Sequence, residues 1–268
     1  MVIHNKVFLV TGAGGGIGSE IVLALLARGA KVAAADLKED GLRILKEKAG
    51  ERAANLTIHT LNITDRAAVD RMPEEVIQAQ GQIDAVINNA GIVQPFVKVN
   101  DLDYEAIERV MNVNFYGTLY MTKAFLPHLL QRPEAYLVNV SSMGGFLPVP
   151  GQSIYGASKA AVKLLTEGLY AELLETNVHV SVVFPGATKT HITENSGVKA
   201  PATAGGADQS SFQMLPAATV AEIIVKGIEK NKPHIFTGKD SKMMNKLYRL
   251  NPIFATKLIA KQMKSLLG

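Results

Sequence analysis

Four apolar residues, Val7-Phe8-Leu9-Val10, run directly into Thr11-Gly12-Ala13-Gly14-Gly15-Gly16-Ile17-Gly18, and an Ala- and Leu-rich stretch follows. No other feature of the chain constrains its fold as tightly. A buried strand, a glycine turn and a helix start, in that order, open a βαβ unit. Glycines let the backbone approach an anion closely, and the helix start offers unpaired N–H groups and the positive end of its dipole. A pyrophosphate is the anion that such a turn suits. The spacing is T-G-x-x-x-G-x-G, with Gly12, Gly16 and Gly18 as its glycines and Ile17 where the stricter G-x-G-x-x-G would end. A turn kept only for packing is the bland alternative.

Apolar runs rich in Val, Ile and Leu recur at residues 32–35, 56–61, 83–87, 136–140 and 178–184. Longer amphipathic stretches separate them at 17–28, 40–48, 65–80, 104–130 and 153–174, the third with Thr64 as its capping residue. Strand alternating with helix predicts right-handed crossovers and a parallel sheet covered on both faces. A chain of 268 residues is long enough for one such domain and short for two. The expected fold is therefore α/β: a single doubly wound parallel sheet (Rossmann fold) over residues 1–238, with helices on both faces and a helical tail at 239–268. Residues 193–216, where Gly, Ala, Ser and Thr cluster without periodicity, are expected to form a substrate lid.

The chain has no cysteine, which excludes disulfides, zinc–thiolate and iron–sulfur sites and a cysteine nucleophile. A cytoplasmic location fits that composition. No apolar run is long enough to span a membrane, and the apolar start reads as a first strand rather than a signal segment. The six histidines show no metal-ligand spacing, so no metal site is expected. From Lys239 onward the tail carries seven basic residues and one acid, Asp240, while residues 1–238 carry 21 bases and 23 acids. A mildly acidic domain with a basic tail is not the charge pattern of a nucleic-acid binder.

The second strand ends in Asp36, about 20 residues beyond the glycines, where an acid can accept both hydroxyls of an adenosine ribose. It would repel a 2′-phosphate, and the next residue is Leu37 rather than a base. NAD is expected over NADP. Three further strand or helix ends carry polar residues: Asn88-Asn89-Ala90-Gly91, Asn114 within 104–130, and Ser141-Ser142. Thirteen residues after Ser142 comes Tyr155, and Lys159 follows four residues later, on the same helical face. A nearby ammonium stabilises a phenolate, which makes a tyrosine a usable proton carrier.

Taken together, TGAGGGIG, Asp36, NNAG, Asn114, Ser142, YGASK and Pro185-Gly186-Ala187-Thr188-Lys189-Thr190 resemble the classical short-chain dehydrogenase/reductase family over roughly residues 5–238. The resemblance implies an oxidoreductase that exchanges a hydride with a nicotinamide cofactor. It gives Ser142 the task of polarising the substrate oxygen and Tyr155 that of exchanging the proton. Lys159 would lower the tyrosine pKa and bind the nicotinamide ribose, and Asn114 would hold a relay water. Gly12, Gly16, Ile17 and Gly18 would hold the pyrophosphate, with Asp36, Asn62, Ile63, Asn88 and Ala90 along the adenosine. Pro185, Gly186, Ala187 and Thr190 would meet the nicotinamide. Asn62 stands where the family usually has an acid.

Apolar residues at 143–150, with Ile92, Val93 and Phe96, border the expected reaction centre and suit a small apolar alcohol or ketone. Steroids, retinoids, acyl chains and xenobiotic ketones all fit that description. In the tail, Met243, Leu247, Leu250, Phe254, Leu258 and Leu266 recur at helical spacing, with Pro252 as a break. Such a stripe docks on the domain or meets a membrane surface peripherally. A homodimer or homotetramer is expected, although the tail replaces the family's short ending. Two other classes compete: a nucleotide-binding protein without turnover, and a sugar-nucleotide epimerase, which would need a larger C-terminal domain.

Overall fold

The structure, a computed structural model, describes residues 2–198 and 214–263. The first six strands are β1 (Val7–Thr11), β2 (Lys31–Asp36), β3 (Leu56–Thr60), β4 (Ala85–Asn88), β5 (Ala135–Val140) and β6 (Val178–Pro185). Two short strands, β7 (Thr188–Lys189) and β8 (Leu215–Pro216), pair only with each other, and β9 (His234–Thr237) completes the main sheet. Its seven strands are parallel, in the order β3-β2-β1-β4-β5-β6-β9. The chain leaves β1 toward one edge and returns to place β4 on its other side. That reversal opens a crevice beyond the carboxyl ends of β1 and β4.

Adjacent strand residues point to opposite faces, so each strand feeds two cores. Phe8, Val10, Val32, Ala34, Ile87 and Val138 pack under α1 (Gly16–Leu26), α2 (Glu39–Ala49) and α8 (Ala217–Glu229). Val7, Leu9, Ala33, Val86 and Leu137 pack under α3 (Arg66–Gln80), α5 (Thr118–Leu129) and α6 (Ser153–Glu172). Burial on both faces is why these strands read as continuous apolar runs.

Three expectations need correction. The cap of α3 is Asp65 rather than Thr64, and its carboxylate accepts from the Ala68 N–H at 3.1 Å. The helix expected over 104–130 is α4 (Tyr104–Met111) and α5 joined by a π-helical turn at Asn112–Gly117. The tail is two helices, α9 (Lys239–Leu250) and α10 (Pro252–Gln262), broken where Pro252 takes the first turn of α10. Its buried face keeps Leu247 of the expected stripe but is otherwise different: Met244, Ala255 and Ile259 pack on Leu147, while Met243, Leu250 and Phe254 are 59%, 85% and 53% exposed. Met243 and Met244 are neighbours, so periodicity allowed either face, and contact with the loop after β5 decides. Leu266 lies outside the described residues, as does 199–213 of the expected lid. No helix among the described residues is long and apolar enough to cross a membrane.

Candidate active site

The crevice is a cleft of about 970 Å³. Its floor is the glycine turn, where Gly12 and Gly16 take φ of +65° and +55°, a region that side chains disfavour. α1 starts at an uncapped Gly15 with no acid in its first turn, which leaves the helix-start N–H groups to a ligand. Gly12, Gly16 and Ile17 line the cleft. Gly18 does not: a Cβ there would land on the Gly12 carbonyl, so this glycine serves helix-to-strand packing. Asp36 closes the far end, its Oδ2 accepting from the Gly14 N–H at 2.8 Å and its Oδ1 from the Lys38 N–H at 2.9 Å. A Cβ on Gly14 would lie 2.9 Å from the Asp36 carboxyl carbon, so a side chain at Gly14, which the motif reading passed over, would displace that carboxylate.

Asn62, Ile63 and Ala90 line the same end of the cleft. The Asn62 Oδ1 is engaged locally, by the Thr64 N–H at 3.0 Å and hydroxyl at 2.8 Å. Asn88 is a correction. It sits on the α5 side of β4, as alternation after Ile87 requires, and its Nδ2 donates to Asn139 at 2.8 Å and Thr122 at 3.3 Å inside the core. Asn89 takes the place expected for Asn88 on the cleft. Its Nδ2 donates to the carbonyls of Thr11 and Gly12, while the Thr11 hydroxyl accepts from the N–H groups of Asn89 and Ala90.

At the other end of the cleft α6 brings Tyr155 and Lys159 beside Ser142, the first residue after β5 to face the ligand side. Ser141 turns inward and donates to the Lys159 carbonyl at 2.7 Å. The Ser142 hydroxyl accepts from the Gly144 N–H at 3.0 Å, and a Cβ at Gly144 would lie 3.5 Å from that hydroxyl and 3.4 Å from the Tyr155 ring, so the two side chains border one point. Burial pushes the Tyr155 phenol above its ordinary value, and the neighbouring Ser142 hydroxyl partly offsets the push. Lys159 is buried, donates to the Val140 carbonyl at 3.0 Å, and is pulled down by desolvation to about 8. At neutral pH it therefore keeps its proton. Among the described residues no carboxylate lies within salt-bridge distance of it.

Asn114 sits in the π-helical turn, a distortion that often marks functional positions. Its Oδ1 accepts from the Ile92 N–H at 2.8 Å, and its Nδ2 donates to the Ile92 carbonyl and the Ser158 hydroxyl at 3.0 and 2.9 Å. A Cβ on Gly91 would lie 3.0 Å from the Lys159 ammonium and 3.2 Å from Asn114 Oδ1, so both groups converge on that glycine.

Pro185, Gly186, Thr188 and Thr190 line the cleft beside this group, and Ala187 does not. The expectation that the Ala187 backbone meets the ligand is corrected: its N–H donates to Asp240 Oδ2 at 3.0 Å and its carbonyl accepts from Leu215 at 2.9 Å. The loop after Ser142 also differs from expectation. Phe146 stacks edge-on against Phe184 at 5.6 Å, and Leu147 is buried under the tail, so neither faces the cleft. Ile92 and Val93 do.

Other residues escaped the sequence reading because their contacts are long-range. Gln94 is fully buried, and its Oε1 accepts the N–H groups of Ile154 and Tyr155 at 2.8 and 3.0 Å, seating the first turn of α6. The short helix α7 (Ile192–Asn195) lines the cleft above the glycine turn. Behind it, Ser196 ties to the opposite wall through the Val93 N–H and Arg109, each at 3.0 Å. The glycine floor, the open helix start and the carboxylate at the ribose end fit a dinucleotide, with a proton-carrying group at its other end.

The model of one protein family, described as short chain dehydrogenase, matches residues 6–200. SadH of Mycobacterium tuberculosis is 34% identical over 267 residues, covering 96% of this chain and 95% of its own length. The 3-oxoacyl-[acyl-carrier-protein] reductase FabG of Thermotoga maritima is 36% identical over 206 residues, covering 76% and 82%. A Burkholderia phymatum short chain dehydrogenase/reductase solved with NAD superposes with a TM-score of 0.85 at 25% identity, over 95% of this chain and 96% of that one. A Burkholderia cenocepacia short chain dehydrogenase solved with NADP gives 0.79 at 26% identity, over 97% and 99%.

Proposed function

The chain belongs to the short-chain dehydrogenase/reductase family, and from that premise we propose that it interconverts an apolar secondary alcohol and its ketone, with NAD as cofactor. The observation that carries the reading is the convergence of Ser142, Tyr155 and the buried Lys159 ammonium at one end of a glycine-floored cleft. The nicotinamide supplies the hydride acceptor for oxidation and the donor for reduction. The Ser142 hydroxyl orients the substrate oxygen. The Tyr155 oxygen takes the alcohol proton during oxidation and gives it to the forming alkoxide during reduction. The Lys159 charge stabilises the phenolate when it forms. Lys159 and Asn114 converge on Gly91, and the proposed path by which the proton reaches solvent starts from that corner, through a water held by Asn114.

Asp36 favours NAD. The neighbouring cation, Lys38, offers its backbone N–H to that carboxylate, and the glycine turn contains no base. Ile92 and Val93 give the substrate end an apolar wall. An alcohol and ketone panel run with both cofactors tests the reading: NAD(H) is used about tenfold better or more, and Asp36→Ala narrows the gap. Equal turnover with NADPH overturns the cofactor choice, and turnover confined to charged or sugar substrates overturns the substrate class.

A second reading concerns the surroundings. Met243, Leu250, Ile253 and Phe254 are exposed on a tail that has no acid after Asp240, which suits peripheral contact with an anionic bilayer. Salt-sensitive cosedimentation with anionic vesicles, lost when the chain ends after Gly238, supports it; no sedimentation removes it. Exposed Tyr116, Leu164 and Tyr170 on the helical side suit a homodimer or homotetramer, which sedimentation velocity checks. A cytoplasmic location belongs to the same reading, through the absence of cysteine.

A further inference from the structure

The tail reaches the end of β6 and the loop that follows it through two consecutive side chains. Asp240 lies in the first turn of α9, and its carboxylate is wedged between two glycines from different parts of the chain. A Cβ at Gly186 or at Gly238 would land on that carboxylate, and Gly238 also takes a φ of +111°. From this position Asp240 Oδ2 accepts the Ala187 N–H at 3.0 Å. The next residue, Ser241, is fully buried and donates to the Phe184 carbonyl at 2.9 Å. Two consecutive tail residues therefore hold the end of β6 and the loop that follows it.

The consequence lies in which residues of that loop face the cleft. The Ala187 carbonyl is held from the far side by the Leu215 N–H, so both polar groups of this residue are withdrawn from the ligand. With Ala187 pinned outward, Thr188 and Thr190 line the cleft on either side of Lys189. We propose that Asp240 is a positioning residue for the nicotinamide half of the cofactor: its carboxylate fixes the Ala187 peptide and thereby presents Thr188 and Thr190. The single acid of a basic tail is then part of the active-site architecture, although it touches neither substrate nor cofactor. This inference rests on the cleft taking a nicotinamide dinucleotide.

The test compares two nucleotides, one of which lacks the nicotinamide. In Asp240→Ala the affinity for NADH falls about tenfold, the loss of one charge-assisted hydrogen bond, while that for ADP-ribose stays within about twofold. Asp240→Asn keeps an acceptor oxygen and recovers most of the NADH affinity. In the nucleotide-free protein the Ala187 amide exchanges with solvent at least about tenfold faster in Asp240→Ala than in wild type. Equal weakening of both nucleotides, or of neither, overturns the proposal, because a merely structural tail moves them together. Should Asp240→Ala not fold, wild type and Asp240→Asn carry the test. A Ala187 amide unprotected in wild type overturns the proposal, as does an Asn variant that loses ADP-ribose along with NADH. If wild type prefers NADPH, that nucleotide and 2′-phospho-ADP-ribose replace the pair. A wild type that binds neither dinucleotide overturns the cofactor reading, while Ala187 protection still reports whether the brace exists.

Discussion

The two ends of the central sheet each bury a charged side chain, and they treat it oppositely. At the amino end, Asp84 is fully buried and satisfied from every side. The Val7 N–H and the Gln82 amide donate to its Oδ2 at 2.8 Å, and Arg132 donates to its Oδ1 at 2.9 Å. At the carboxyl end, Lys159 is also withdrawn from water but, among the described residues, has one acceptor, the Val140 carbonyl, and no carboxylate partner. The first charge is held in place by its neighbours. The second is held short of partners, and burial lowers its pKa to about 8 as a result. A sheet of one hand and one chemistry thus separates a stability end from a working end.

The sharpest way to test that division is to remove one group from each end and measure both activity and stability. Tyr155→Phe deletes the proposed proton carrier and nothing of the packing, so kcat falls about 1,000-fold while the unfolding midpoint stays near wild type. Asp84→Ala does the reverse. It strands the Val7 N–H and leaves the Arg132 guanidinium without its carboxylate, costs about 3 kcal/mol in a denaturant melt, and leaves kcat per folded molecule within about twofold. If Asp84→Ala costs activity as heavily as stability, the ends are coupled and the contrast fails.

Much of this was legible from residues alone, and the reason is local. Strands buried on both faces announce themselves as Val- and Ile-rich runs, and the glycine turn, Asp36, Ser142, Tyr155 and Lys159 each sit at an element end that those runs locate. Ser142 was separable from Ser141 by alternation within the strand. The same rule applied to β4 would have turned Asn88 inward and Asn89 toward the cleft. What could not be read is contact at a distance. Gln94 caps a helix 60 residues further on, and Asp240 holds a peptide 53 residues earlier. The sequence offered one sign of the latter, a lone acid in a basic tail, without saying what it touches. The π-helical turn around Asn114, underwound relative to the α-helix on either side, was not distinguished from the single helix expected over 104–130.

The working end also makes a pH-dependent prediction with a definite sign. Lys159 holds its proton less tightly in the folded chain than in the unfolded one, at about 8 against an ordinary value of 10.5. Between those values the unfolded state binds more protons, so stability rises with pH across that window and the penalty for the charged form is greatest below it. Lys159→Met has no such group. The stability of wild type relative to Lys159→Met should therefore climb from about pH 8 upward, by at most roughly 1.4 kcal/mol per pH unit. Tyr155 is pushed above its ordinary value by burial, and losing the Lys159 charge pushes it no lower, so the phenol keeps its proton across this window in both proteins. Denaturant melts at pH 7 and pH 9.5 decide, and a flat difference would mean that Lys159 is better partnered than its surroundings indicate.

The smallest expected effect tests how the amino end is satisfied. Lys6 approaches Asp84 at 3.9 Å with a side chain 24% exposed, whereas Arg132 donates to it at 2.9 Å and also donates to the Gln82 side-chain Oε1 at 2.9 Å. Both cations lie at the protein edge, so distance and hydrogen bonding distinguish them rather than burial. A pair near 4 Å without a hydrogen bond contributes little once solvent screening and side-chain entropy are counted. Lys6→Met should cost less than about 0.5 kcal/mol. Arg132→Met removes the hydrogen-bonded partner of a carboxylate that water cannot reach, and should cost about 2 kcal/mol or more. The two variants are compared by urea melts at low and at high salt. A Lys6 effect equal to that of Arg132 would show that Asp84 is held by summed field rather than by donors in contact, and the satisfied end of the sheet would then resemble the working end more than its geometry says.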